Sequence, residues 1–362
     1  MYTEMKKFIA VAGVLLIALI AGTAFVQTDN KDSERPQNNS QAEVMAEGLE
    51  VPWDIEFLPD GDILVTERPG NLLRMEKESG NYTESYKVEG VEHAGEGGLL
   101  GVTKHPNFTE NKYIYLYMTT RDGEKLRNRV ERYRLNEDQL SEPETVISGL
   151  PGAIYHDGGR IDFGPDGKLY ITAGDATKPQ WAQEREKLAG KILRINPDGT
   201  VPRDNPFDNE IYSYGHRNPQ GLTWVKSTLW ATEHGDWQND ELNRIQKGGN
   251  YGWPEIEADQ NMEDMIRPEI YAEDTTWAPA GTVFTNGSIY FAGLKGKTLY
   301  EAKIQNNSVT GLEKHLQKKY GRLRAVEKGP EGHLYVSTSN TDGRGIPVGE
   351  EDKILRIDPD DL

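Results

Sequence analysis

FGPDGKLYITAG (residues 163–174), followed by KILRINPDG (191–199), decides the fold of this chain. Pro165, Asp166 and Gly167 make a turn: proline presets φ, aspartate bonds nearby backbone and glycine supplies positive φ. Behind it Leu169, Ile171 and Ala173 alternate with Tyr170 and Thr172, the period-two pattern of a strand. KILRI is a second, more polar strand. The pair recurs along the chain: FLPDGDILVTE (57–67) with NLLRMEKE, KHPNFTENKYIYLYMT (104–119) with RVERYRLNED, WVKSTLWATEH (224–234) with ELNRIQKGG, FTNGSIYFAG (284–293) with TLYEAKIQN, and KGPEGHLYVSTS (328–339) with KILRIDPDD. A unit of about four strands cannot bury both faces alone, and stacking six in a ring removes that difficulty. The reading is an all-β, six-bladed β-propeller; a β-sandwich does not repeat one signature six times. Ring closure requires the last strand, KILRID, to pair beside the segment near Glu47–Val51. Helix content is expected to be low, with short exceptions in PQWAQEREKLAG (179–190) and near Asn261–Met265.

Composition bounds the rest. The 362 residues carry a net charge of −18, so a nucleic-acid backbone would be repelled. With no cysteine, disulfides, thiolate chemistry and zinc–thiolate sites are excluded. Lys6 and Lys7 precede an unbroken apolar run, Phe8–Val26, which reads as an export signal and is just long enough to span a bilayer. Residues 1–26 are therefore a signal peptide or a membrane anchor. The polar stretch 27–43 is a disordered linker, and 44–362 is the propeller. The folded part is expected in the periplasm or outside the cell, either free or anchored to the outer face of the cytoplasmic membrane.

In a propeller the strands supply the frame, and loops over one end of the channel supply function. Four places depart from the repeat: HAGEGGLLGV (93–102), YHDGGR (155–160), YGHRNPQG (214–221) with EHGDWQNDELNRIQKGGNYGWP (233–254), and KKYGRLRAV (318–326). Each has an ordinary reading as a glycine-rich turn, a hydrogen-bonded structural histidine or a solvated edge. Yet His156 is a side-chain type that changes charge near neutral pH. His216, Arg217 and Asn218 stand consecutively before a rigid Pro219. Arg322 and Arg324 alternate on a strand and so share a face. NDELN offers carboxylates of the kind that suit Ca²⁺ without a full EF-hand loop. No zinc motif, P-loop or nucleophile elbow is present.

Taken in order, PWDIEFLPDGDILVTERPG, GGLLGVTKHPNF, GGRIDFGPDGKLYITAGD, LAGKILRINPDGT, GHRNPQGL, EHG, DELN and GGNYGWP closely resemble the soluble quinoprotein sugar dehydrogenases. These are the aldose sugar dehydrogenases and soluble glucose dehydrogenases that use pyrroloquinoline quinone (PQQ). The resemblance runs from about Pro52 to Ile357. It implies oxidation of an aldose at C1 to a lactone, with PQQ and Ca²⁺ as cofactors and a soluble or membrane electron acceptor. It makes His156 the general base. It gives Arg217 the charge developing on the quinone, which Asn218 helps to hold. Arg322 and Arg324 meet the cofactor's carboxylates, and Lys295 matches a further cofactor contact. The carbonyls of Gly235 and Asp236 match a Ca²⁺ site at the quinone, and Glu241 with Tyr251 a second, structural one. There are departures: Glu96 replaces a glutamine beside sugar and cofactor, Asp236 a proline, Tyr155 an aspartate and Ala176 a glutamine. The last two remove polar contacts and favour a broad aldose range. Monomer and homodimer both remain open. Two other classes compete: a calcium-dependent sugar lactonase, which needs side-chain metal ligands converging on the channel, and a non-catalytic exported propeller, which would have lost the loop motifs.

Overall fold

A computed structural model describes residues 41–136, 139–344 and 351–362. The signal or anchor segment (1–26) and linker residues 27–40 lie outside the described residues. Among the described residues no helix is long and apolar enough to cross a membrane.

Six four-stranded antiparallel sheets form in chain order, one for each copy of the sequence signature. Blades 1 to 5 take residues 52–87, 99–151, 161–214, 219–271 and 279–315. Blade 6 takes 323–357 and borrows its outermost strand, Glu43–Leu49, from the start of the fold. That strand runs antiparallel to Asp352–Ile357, pairing Glu43 with Arg356 and Leu49 with Asp352. Ion pairs Arg356–Glu43 (2.6 Å) and Lys353–Glu47 (2.8 Å) reinforce the seam. Ala42 and Glu43, which composition assigned to the linker, belong to the fold: Ala42 is buried in the blade 5–6 core.

The signature hairpin is the middle of each blade, and both its faces are buried. In blade 1, Leu64 packs toward blade 2, while Ile63 and Val65 pack toward blade 6. In blade 3, Leu169, Ile171 and Leu193 face blade 2, while Tyr170 and Ile192 face blade 4. Six such seams replace the two faces that a lone sheet would leave wet, each buried Leu or Ile contributing about 1.5–3 kcal/mol. The first strand of each blade touches the first strand of at least one neighbouring blade around the axis. Connections into those first strands, and from second to third strands, all emerge at one end of the ring, which we call the mouth.

The two expected helices do not form. Only Pro179–Ala182 winds, as a single 3₁₀ turn, and residues 261–265 are turns. Lys191 replaces a helix there: fully buried, its ammonium donates to the carbonyls of Trp181, Ala182 and Ala189 at 2.6–3.0 Å. One short helix, Phe108–Asn111, lies inside the turn of the blade 2 signature.

Candidate active site

His156 sits at the mouth on the loop entering blade 3, with φ +64. Non-glycine residues rarely adopt that conformation, which costs about 1–3 kcal/mol and persists only where the surroundings impose it. Here they do. Its N–H donates to Glu96 Oε2 (2.9 Å), and its carbonyl accepts from Ala176 N–H (3.2 Å). Gly158 and Gly159 follow at φ +68 and +107. A Cβ on Gly158 would lie 2.5 Å from the Thr172 carbonyl oxygen, so the loop can press on the signature strand only as glycine.

The imidazole is oriented by a residue that the sequence did not single out. Asp175, fully buried, takes His156 Nδ1 on Oδ1 at 2.8 Å. The same oxygen accepts from Thr177 N–H (2.8 Å), and Oδ2 accepts from Trp253 Nε1 (2.9 Å). A carboxylate accepts only, so the Nδ1 proton points at Asp175 and Nε2 is left as the basic nitrogen.

Arg217, one residue after the buried His216, reaches Asp236 Oδ1 (3.2 Å) and the His234 carbonyl (3.4 Å). Asn218 Oδ1 accepts from Gly158 N–H (3.0 Å), tying the HRNP loop to the His156 loop. Arg322 is buried and held by Asp342 Oδ2 (2.8 Å) and the Ser339 carbonyl (3.1 Å). Arg324 has only long bonds, 3.2 Å to Gln220 Oε1 and 3.4 Å to Ser339 Oγ. Burial, with Arg68 and Arg322 adding to it against Asp342, holds its guanidinium down to about 9. Lys295 is exposed, on the blade 5 connection at the mouth.

This mouth is built for an anion that also accepts hydrogen bonds. Arg217 Nε, Asn218 Nδ2, His234 Nε2 and Arg160 Nη2 are buried without a partner. Burial first, then Arg217, Arg324 and His156, hold His234 well below the usual histidine range, so it stands there neutral. A planar polyanion with carbonyl and carboxylate oxygens would satisfy the arginine and asparagine donors and relieve the crowded guanidinium groups.

The Glucose / Sorbosone dehydrogenase family model matches residues 49–354. The chain belongs to that family. It is 33% identical to the Escherichia coli protein named aldose sugar dehydrogenase, over 84% of this chain and 92% of that one. The Acinetobacter calcoaceticus quinoprotein glucose dehydrogenase B is 34% identical over 70% of this chain and 60% of its own length. The PQQ-bound aldose sugar dehydrogenase of Streptomyces coelicolor superposes with a TM-score of 0.83 at 39% identity, covering 87% of this chain and 96% of that one.

Among the described residues of this family member, two regions near the mouth offer oxygen ligands for a cation. At the mouth, the Asp236 carbonyl accepts from Gln238 N–H (2.6 Å), while the Asp236 carboxylate faces Arg217. Deeper in blade 4, Glu241 and Glu233 are both buried and share Asn243 Nδ2 at 3.0 and 3.3 Å. Burial and the Glu233 charge push Glu241 up to about 8. The Tyr251 hydroxyl is committed to the Arg244 carbonyl (2.6 Å) and Gln246 N–H (2.8 Å), so only its carbonyl could serve a metal. Its ring stacks on His216 at 4.7 Å. Away from the mouth, Glu301, Glu313 and His315 bring ligand atoms within 4.8 Å of one another, but Glu313 is already paired with Lys303, and Glu301 is hydrogen-bonded to His315.

Proposed function

We propose that this protein is a quinoprotein dehydrogenase that oxidises aldose sugars at C1 to lactones, with PQQ and Ca²⁺ as cofactors. The observation that carries the reading is the set of unpartnered donors and crowded arginines beside an oriented histidine. When bound, the quinone with its Ca²⁺ supplies the hydride acceptor. His156 Nε2 takes the C1 hydroxyl proton. Asp175 holds the ring and stabilises the imidazolium that this transfer creates. Arg217, Asn218, Arg322 and Arg324 hold the cofactor, with Lys295 at the rim. Arg217 is also the cation for charge developing in the transition state. Gly235 and Asp236 would supply carbonyls to a Ca²⁺ at the quinone. An exported location, with or without a membrane anchor, rests on the Phe8–Val26 segment.

The test is reconstitution of purified protein with PQQ and Ca²⁺ against a panel of aldoses and a dye acceptor. Sugar-dependent dye reduction is expected, with comparable kcat/KM for several aldohexoses and aldopentoses. Tyr155 is half exposed and Ala176 offers no hydrogen bond from its side chain, so few polar groups are left unpaired by a wrong sugar. A preference of about a thousandfold for one sugar, roughly 4 kcal/mol, would overturn the broad range. Lactone hydrolysis needing Ca²⁺ but no quinone would instead favour the lactonase.

The second Ca²⁺ is assigned to Glu241, its neighbour Glu233 and the Tyr251 carbonyl. A cation between two buried carboxylates removes their repulsion. Chelation is expected to lower the melting temperature of the apo-protein. At free Ca²⁺ a hundredfold above Kd the linkage is about 2.7 kcal/mol. In Glu241→Gln the chelator should no longer matter. A chelator effect of wild-type size in that variant would remove the assignment.

A further inference from the structure

Glu96 uses both carboxylate oxygens at the rim of the mouth. Oε2 accepts from His156 N–H at 2.9 Å, and Oε1 lies 3.1 Å from Arg344 Nη2. The Arg344 guanidinium also covers the Tyr155 ring, 4.6 Å from its centroid. Its backbone N–H donates to Asp342 Oδ1 (2.9 Å), and Asp342 Oδ2 holds Arg322. One cation therefore ties the last blade's mouth loop to the loops entering blades 2 and 3, including the loop that carries the base. An exposed ion pair by itself contributes little. This one differs because its carboxylate also holds His156, and its guanidinium is stacked.

We propose that Arg344 is a positioning residue: it neutralises Glu96, which would otherwise repel an anionic cofactor, and braces the loop that carries His156. The proposal rests on the quinone reading above. The other titratable groups around Glu96 and His156 are Arg68, Arg324, Asp157, Asp175 and His234, which stands neutral beside Arg217. Of the cations among them, Arg217 and Arg324 are assigned to the cofactor. Arg68 spends its Nε and Nη2 on His93 Nε2, at 3.2 and 3.1 Å. With Arg344 gone, Glu96 keeps its grip on His156 N–H but loses its one ion-pair partner, and its charge beside the anion site is offset only at longer range by Arg68 and Arg324. A glutamine at position 96 still offers an amide oxygen to that N–H, without the charge.

The experiment titrates apo-protein with PQQ in the presence of Ca²⁺, following quinone absorbance, for wild type, Arg344→Gln and the double variant Arg344→Gln/Glu96→Gln. Arg344→Gln is expected to weaken quinone binding about tenfold or more, as loss of a compensating charge at short range does. The double variant should recover most of that loss, because the repulsive charge is gone too. Binding by Arg344→Gln equal to wild type overturns the proposal, and so does a double variant as weak as the single. A melting-temperature loss in Arg344→Gln that persists in the double variant, with no recovery of binding, would mark Arg344 as a structural brace only and also overturns it. Wild type that binds no PQQ removes the enzyme reading itself, an outcome visible before any variant is compared.

Discussion

His156→Gln is expected to lose about 10² to 10⁴ in kcat while still binding the quinone, the range that a positioned general base contributes. The geometry argues for separable effects. The groups assigned to the cofactor, Arg217, Asn218, Arg322 and Arg324, are fixed by partners other than the imidazole. The ring makes one side-chain bond, to Asp175. Glutamine keeps a polar group there and the backbone N–H to Glu96, but has no nitrogen that can take a proton. A purely structural His156 makes the opposite forecast: a lower melting temperature with turnover per folded molecule near normal. Quinone occupancy, melting temperature and kcat measured on one preparation separate the two.

Asp175→Asn is expected to cost about 10² or more in kcat, in the range seen when an orienting carboxylate is replaced by its amide. Asp175 receives three donors, from His156 Nδ1, Thr177 N–H and Trp253 Nε1. An amide offers one acceptor oxygen and turns an NH₂ group on whichever donor remains. If that NH₂ meets His156, the ring must move its proton to Nε2 and the base is lost. If it meets Trp253, the indole loses its partner. Nitrogen chemical shifts of the imidazole report the tautomer directly. Trp253→Phe removes the Oδ2 donor alone and should cost far less. Should the two variants lose kcat equally, with the wild-type tautomer intact in both, Asp175 does not orient the base.

The ring of six blades was legible because each blade repeats a turn followed by a period-two hairpin, a signal carried by residues adjacent in sequence. The mouth loops were legible for the complementary reason: HRNP, YHDGGR and RLR break the repeat. The residues that complete the site were not. Asp175 ends the signature itself, where it reads as one more turn aspartate. It meets Trp253 only because the blade 4 loop folds back across 78 positions. Glu233, Asp342 and Arg344 likewise gain their meaning from partners that the strands bring together. The helix expected over 179–190 failed because its apolar residues are spent otherwise. Trp181 lies beneath Lys178 and Lys187, and the carbonyls of Trp181 and Ala182 are taken by buried Lys191.

The seam in blade 6 has a kinetic side. Pairing Glu43 with Arg356 joins residues 313 positions apart, whereas each of the other sheets is drawn from one continuous stretch of chain. The entropy of closing so long a loop grows only slowly with length, but the closure needs the whole chain before any contact rewards it. A growing chain can therefore accumulate blades 1 to 5 and still hold an open ring, with the apolar faces of blades 1 and 5 uncovered and strand Glu43–Leu49 unpaired, until its last strand is available. The rate of folding, and any exposure to aggregation on the way, should be governed by that single late event.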